Sequence, residues 1–410
     1  MLPFHNLPCM DQSTDSLRLL ENVRIIDLTT SIAGPYATQL LADLGATVLK
    51  IERPGLGDDT RAWGPPFLDG ESLWYLSVNR NKNSLTLNLA EPEGREILDS
   101  LLTDSDALIL NMVPSTQKKF GLDYTRLHEA HPSLIHASLT GFGLTSPRCN
   151  DPCYDLIAEG YSGIMDLTGE PDSPAQKVGT PAADLLSGQD LALAVIAALF
   201  ARERTGHGTE IDISMQTSMT RFVAPRLLSY LGSGELPRRS GGTDSVIAIY
   251  QVFDTADDPI SLGLGNDSIW ERFWKAVGMP EVGAIPSYAS NADRRSKREE
   301  IVTRISEILR EQSQAYWLEL FSKHRIPAGP INRLDQVAKD EDLHQKGFLF
   351  QADAAGGRIP QIGLGIGFNG SQHVYRKPPP TLGEDTDTTL REWLGMSPDH
   401  IEQLRQNKII

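Results

Sequence analysis

Residues 185–204 form an unbroken run of strong helix formers, apolar on most faces, that stops at Thr205-Gly206. No other stretch constrains the fold as tightly. A helix with so little polar surface has to be buried, so the rest of the chain must wrap around it. A membrane span is not expected: Asp184, Gln189 and Asp190 crowd one end, and the polar-free run 191–201 is too short for a bilayer. Asp184 therefore stands at the mouth of a buried helix, behind a loop rich in small residues, 177–183. Two readings are open. Asp184 is an N-cap that accepts hydrogen bonds from the first turn, or it is a catalytic carboxylate kept ionised and nucleophilic by the positive helix end. The local sequence does not choose between them.

What surrounds the helix is legible from periodicity. Residues 23–28 read as a buried strand, Ala33-Gly-Pro35 turns the chain, and Pro35 suits the start of a helix running to 44. Gly45 ends that helix, and 46–52 is a second strand, which makes a β-α-β unit with a right-handed crossover and a parallel sheet. Strands at 84–89, 107–111 and 134–139, with a helix at 92–102, continue the pattern, and 210–214 adds another strand. The fold class is α/β, doubly wound over residues 20–215. Where a dinucleotide fold wants Gly-x-Gly-x-x-Gly, this chain has Ser31-Ile-Ala-Gly-Pro-Tyr36, so a nicotinamide or flavin cofactor is not expected. Composition shifts at 232–245, rich in glycine, serine and arginine, and again at the proline-punctuated 326–332. Between them lie strands near 247–253 and 260–264 and helices at 269–277, 294–310 and 314–324.

Charge and cysteine content exclude some functions. A net charge of −16 argues against nucleic acid or an anionic membrane surface as partner. A small polyanion needs only a local basic pocket, for which Lys50, Arg53, Arg61, Arg80, Lys82, Lys118 and Lys119 are available, unless they are merely solvated surface charges. Three cysteines make no disulfide framework, and Cys149 and Cys153 have no second ligand pair at zinc spacing, so no metal is expected. A reducing, cytoplasmic setting fits this content. Residues 1–18 read as a disordered tail without the apolar stretch of a signal peptide.

Seven motifs, in order, resemble one family: Asp27-Leu-Thr…Ala33-Gly-Pro35, Asp43-Leu-Gly-Ala-Thr-Val-Leu-Lys-Ile-Glu-Arg-Pro54, Gly57-Asp58…Arg61, Asn79-Arg-Asn-Lys82, Lys177-Val-Gly…Asp184…Gly188, Arg204-Thr-Gly-His-Gly208 and Ile326-Pro-Ala-Gly-Pro330. They cover nearly the whole chain, which resembles the class III CoA-transferases of CaiB/BaiF type. The resemblance implies a Rossmann-like large domain built from both chain ends, 19–225 and 340–410. It also implies linkers at 226–245 and 326–339 around a smaller α/β domain, 246–325, and an interlocked homodimer. It makes Asp184 the nucleophile, carrying first a mixed anhydride and then an aspartyl-CoA thioester. The resemblance makes coenzyme A a substrate rather than a resident cofactor, and the partners an acyl-CoA donor, a dicarboxylyl-CoA such as succinyl-CoA, and a small carboxylic acid. By the same resemblance the CoA site is lined by Ile32, Ala33, Arg53, Leu87, Asn88, Ala90, Asn111, Met112, Val113 and Lys119. Tyr154 and Asp155 match an aromatic–acid pair near the active centre. Alpha-methylacyl-CoA racemases resemble the chain in the same fold-forming motifs, but they pair the aspartate with a histidine where this chain has Tyr154. A phenol with an ordinary pKa of about 10 is a poor acid/base at neutral pH, which favours transfer.

Overall fold

The computed structural model describes residues 7, 9, 10, 16–354, 357–369 and 374–410. Its contacts divide the chain into two compact units, one of residues 1–163, 178–224 and 338–410, the other of 164–177 and 225–337. The expected tail, 1–18, lies mostly outside the described residues; within it, Cys9–Met10 pairs in parallel with Gln351 and Ala352.

The first unit is built on a six-stranded parallel sheet: β1 (Arg24–Leu28), β2 (Thr47–Glu52), β3 (Lys82–Thr86), β4 (Ala107–Leu110), β5 (Ile135–Thr140) and β6 (Glu210–Ser214). Their spatial order is β3-β2-β1-β4-β5-β6, the doubly wound Rossmann order, with a topological switch between β1 and β4. Ile25, Ile26, Val48, Leu49, Leu108 and Ile109 are fully buried, the near-continuous apolar run expected of strands covered on both faces. β3 begins two residues earlier than the apolar pattern 84–89 predicts. Lys82 and Ser84 occupy strand positions because their polar atoms are paired internally, with Asp27 and Glu52.

Helices α1 (Ala33–Asp43), α2 (Pro92–Thr103), α3 (Asp155–Ser162), α4 (Ala182–Thr205) and α5 (Met215–Phe222) also belong to this unit. α4 starts three residues before the apolar run, with Pro181 at its N-cap position. That puts Asp184 inside the first turn. At the other end Gly206 takes φ 72°, a left-handed cap, and its N–H donates to the Arg202 carbonyl. Arg202 pairs with Asp106 at 2.5 Å, just before β4, so α4 runs antiparallel to the strands and holds Asp184 at their carboxyl edge.

By length and apolarity α4 would suffice to cross a membrane, contrary to the expectation drawn from its polar-free core. Instead it packs along α1, burying Ala183, Ser187, Gly188, Leu191, Val195 and Leu199 in one stripe. The helices approach so closely that a Cβ at Gly188 would lie 2.6 Å from the Ala33 carbonyl oxygen. Among the described residues nothing covers the opposite face: Leu193 and Phe200 are 65% and 67% exposed, so the all-round burial expected of α4 is not met.

The chain's last residues complete this unit. Helices Thr386–Leu394 and Pro398–Gln406 send Leu390, Ile401 and Leu404 into the same core as β1 to β4. The backbone of Asp385 donates to the Ser84 carbonyl, and the Ser84 N–H donates to the Asp385 carboxylate, covering the β3 edge.

The second unit has its own core, with Phe253, Trp270, Phe273, Trp274, Ile305 and Phe321 at its centre. An antiparallel sheet joins Tyr250–Phe253, Ile260–Gly263 and Ala328–Pro330. The stretch 326–332, expected as a linker, therefore supplies an edge strand, where a proline is tolerated because its missing N–H faces outward. The single helix expected at 294–310 is broken at Lys297 into Asn291–Ser296 and Arg298–Leu309.

Candidate active site

Beneath the β1–α1 turn lies a fully buried set of charges. The Asp27 carboxylate accepts hydrogen bonds from the Thr29 N–H (2.9 Å) and hydroxyl (2.6 Å), from the Thr38 hydroxyl (2.7 Å) and from Lys82 Nζ (3.2 Å). Lys50 Nζ donates to the Thr29 carbonyl at 2.8 Å and pairs with Asp58 at 2.8 Å. Asp58 in turn accepts from the Ser31 N–H at 3.1 Å. Burial would raise the Asp27 carboxyl, but Lys82 and Lys50, helped by the two threonine hydroxyls, hold it at about 2. This set fixes the turn. Ser31 takes φ 68°, left-handed backbone uncommon for a residue other than glycine. Asn111, across the switch point, brackets the Thr30 peptide, donating to its carbonyl (2.8 Å) and accepting from its N–H (3.1 Å).

These contacts correct one expectation. Lys50, Arg80 and Lys82 are no surface basic patch: Lys50 and Lys82 are wholly buried, and Arg80 is 2% exposed and paired with Asp43 at 2.6 Å. Arg61 is likewise tied to Glu52 at 2.7 Å.

Two cavities open at the carboxyl ends of the strands and share Thr30. One, of about 260 Å³, is bordered by Ser31 and Ala33 after β1, Asn111 and Val113 after β4, Thr140 and Gly141 at the end of β5, and Cys153, Tyr154 and Asp184. The other, of about 230 Å³, is bordered by Arg53, Leu87, Asn88, Ala90, Met112 and Phe120. Of the residues expected at a CoA site, Ala33, Asn111 and Val113 thus fall in the Asp184 cavity, and Arg53, Leu87, Asn88, Ala90 and Met112 fall in its neighbour. Ile32 is 2% exposed and borders neither cavity, nor does Lys119, which is exposed and lies over the Phe120 ring at 5.4 Å. Arg53 pairs with Asp59, a residue of the Asp184 cavity, at 2.5 Å.

Asp184 is not an N-cap. The N–H groups of Ala183 and Asp184 donate instead to one carboxylate oxygen of Asp155, at 2.8 and 3.4 Å. Among the described residues the Asp184 carboxylate has no hydrogen-bond or ion-pair partner. Burial, with the charge of Asp155 added, pushes it up to about 7, so the helix end does not keep it ionised as the macrodipole alone would suggest. Burial and the neighbouring Asp184 also push the Cys153 thiol up to about 11, which keeps it protonated. The cavity includes Asp59, Asp151 and Asp184, and among the described residues no lysine, arginine or histidine borders it. Tyr154 stands at its rim, 62% exposed, immediately before α3.

Sequence reasoning missed several of these residues. Ser31 is betrayed only by its backbone angle, and the Cys149–Cys153 spacing raises only the question of a metal, not that Cys153 neighbours Asp184. Thr140, Gly141 and Met215 reach the cavity only because β5 and β6 end beside it.

A Rossmann-ordered sheet with a crevice at its switch point, and inside that crevice a helix-end carboxylate without a hydrogen-bond partner among the described residues, define an α/β ligand-binding protein. The sequence profile of CoA-transferase family III matches residues 20–386. The chain is 37% identical over 397 residues to succinyl-CoA:glutarate CoA-transferase of Mus musculus, covering 97% of this chain and 91% of that protein. It is 36% identical to succinate–glutarate CoA-transferase of Agrobacterium fabrum, covering 91% of this chain and 95% of the relative. The crystal structure of a CaiB/BaiF family protein from Brucella suis superposes with a TM-score of 0.80 at 34% identity, over 91% of this chain and 99% of the other. The chain belongs to CoA-transferase family III, and it is a CoA-transferase.

Proposed function

We propose that the protein transfers CoA from succinyl-CoA to a second dicarboxylic acid, with glutarate as acceptor, through covalent intermediates on Asp184. The observation that carries this reading is the partnerless Asp184 carboxylate in a cavity at the carboxyl edge, on a helix already capped by another residue. The named activities of the mouse and Agrobacterium relatives support the donor and the acceptor.

The reaction needs no redox change and no external base. An Asp184 oxygen attacks the thioester carbonyl of succinyl-CoA; the C–S bond breaks and CoA leaves as thiolate, giving a succinyl–aspartyl anhydride. The thiolate attacks the aspartyl carbonyl, the anhydride C–O bond breaks, and succinate departs from an aspartyl-CoA thioester. The acceptor carboxylate then attacks that thioester, releasing the thiolate and forming the second anhydride. Attack of the thiolate on the acceptor's acyl carbonyl yields the new acyl-CoA and returns the Asp184 carboxylate. Each step exchanges bonds of similar energy, so the site's main task is to exclude water from the anhydrides. Arg53 and Lys119 supply positive charge for CoA phosphates, Lys119 as a single point charge without the bidentate fork of an arginine.

We further infer an interlocked homodimer, as the resemblance implies. The exposed Leu193 and Phe200 on α4 give a second chain an apolar face to cover, and the cavity's lack of a cation leaves room for one from outside this unit. Racemisation would need a second acid/base beside Asp184. His136 lies on β5 with its Nε2 2.7 Å from the Leu122 carbonyl, buried away from the cavity, and the Cys153 thiol is held protonated.

The test is CoA exchange by the purified protein given succinyl-CoA and a panel of acids, with products read by mass. Glutaryl-CoA should accumulate, and Asp184→Ala should lower exchange on the order of 10⁴-fold while the protein stays folded. Undiminished exchange in that variant would end the covalent reading. So would deuterium incorporation at the α-carbon of an α-methylacyl-CoA with no acid accepting CoA, which would make the protein a racemase.

A further inference from the structure

Helices are normally capped by the residue at their own N-cap, whose side-chain oxygen accepts from the second or third N–H. α4 departs from this. Pro181 offers no side-chain acceptor, and the N–H groups of Ala183 and Asp184 are met by Asp155, 28 and 29 positions earlier. Asp155 is itself the first residue of α3, so its carboxylate lies where the N-terminal ends of two helices meet. Any neutral acceptor would satisfy the two N–H groups. A carboxylate does so while also setting a fixed negative charge beside the Asp184 side chain.

We propose that Asp155 is a positioning residue for the transfer reaction: it fixes the turn that presents Asp184, and its charge favours the acylated states of Asp184 over the ionised one. The inference rests on the reading of Asp184 as nucleophile. An ionised Asp184 is repelled by Asp155; the anhydride and the aspartyl-CoA thioester are uncharged at that carbonyl and feel no such repulsion. The same repulsion makes the Asp184 oxygen more basic and so a stronger nucleophile. The raised pKa of Asp184, due first to burial and then to Asp155, agrees with this.

The other titratable groups around Asp184 do not offset the effect. Cys153 is a neutral thiol, Tyr154 is at the rim, and Asp151 and Asp59 border the same cavity with negative charge. Of the elements packed against α4, α1 has one charged residue, Asp43, paired with Arg80; Arg221 of α5 is paired with Asp190, Glu159 of α3 accepts from the Val178 N–H, and Glu210 and Asp212 of β6 are themselves acidic.

Two variants separate the cap from the charge. Asp155→Asn keeps an oxygen for both N–H groups and removes the charge; Asp155→Ala removes both. The readouts are the acid limb of the kcat/KM–pH profile, the fraction of enzyme trapped as aspartyl-CoA thioester by intact mass, and the unfolding midpoint. Asp155→Asn should unfold like the unmodified protein, with its acid limb moved down by about one pH unit. Its thioester fraction should fall severalfold. Asp155→Ala should lose stability and about tenfold or more in kcat, with KM for the acyl-CoA nearly unchanged. An Asp155→Asn profile and thioester fraction matching the unmodified protein overturns the role of the charge, and an Asp155→Ala variant with full kcat overturns the positioning role. If the unmodified protein transfers CoA but never forms the thioester, the nucleophile reading itself fails and this proposal fails with it.

Discussion

Asp27 and Asp184 are both carboxylates withdrawn from water in the large unit, one at the end of β1 and one at the start of α4, yet their surroundings are opposite. Asp27 accepts hydrogen bonds from a lysine, two hydroxyls and a backbone N–H, with a second lysine close by, and is held at about 2. Asp184 has no partner among the described residues, and burial together with the charge of Asp155 raises it to about 7. The difference separates architecture from chemistry. A charge that holds a turn in shape is compensated on every side, because an unpaired buried ion costs several kcal/mol. A charge that must form a bond to a ligand is left unsatisfied, and the fold bears the cost.

If this contrast is real, perturbing the two sites should move stability in opposite directions. Lys50→Met removes the cation shared by Asp58 and Asp27, and it should destabilise the protein by about 3–5 kcal/mol in denaturant unfolding at neutral pH. A loss under 1 kcal/mol would show that water reaches the cluster and that it is no structural core.

Asp184→Asn should do the reverse. Because the folded pKa of about 7 lies above the ordinary 3.8, the folded state binds the proton more tightly, and stability falls as pH rises from about 4 through 7. The asparagine variant escapes this loss. It should match the unmodified protein near pH 4 and exceed it by up to about 4 kcal/mol at pH 8, read from unfolding curves at both values. Equal stabilities at pH 8 would place Asp184 among the compensated charges. The smallest effect is expected for Thr38→Val, which removes one of several hydrogen bonds to Asp27 at nearly constant volume: a loss of about 1–2 kcal/mol, largely independent of pH between 5 and 8.

Much of the large unit was readable in advance because its strands are apolar runs punctuated by turn residues, and the Asp184 helix because its composition left few alternatives. What escaped had non-local causes. Asp155 caps a helix nearly thirty residues away, and no periodicity encodes such a contact. Lys50 and Lys82 look like ligands for a polyanion until the sheet brings Asp58 and Asp27 to them. The apolar pattern places β3 two residues late because a lysine at its start is not apolar, although Lys82 is wholly buried. The strand Ala328–Pro330 hid in a proline-rich stretch because an edge position forgives what a central one would not.

The bonding of Asp385 to Ser84 has a bearing on biosynthesis. One outer strand of the sheet is sealed by residues that leave the ribosome some three hundred positions after the strand itself. Until they arrive, β3 presents an open row of backbone groups to any other extended segment. The nascent chain therefore carries an adhesive border for as long as those three hundred residues take to be made.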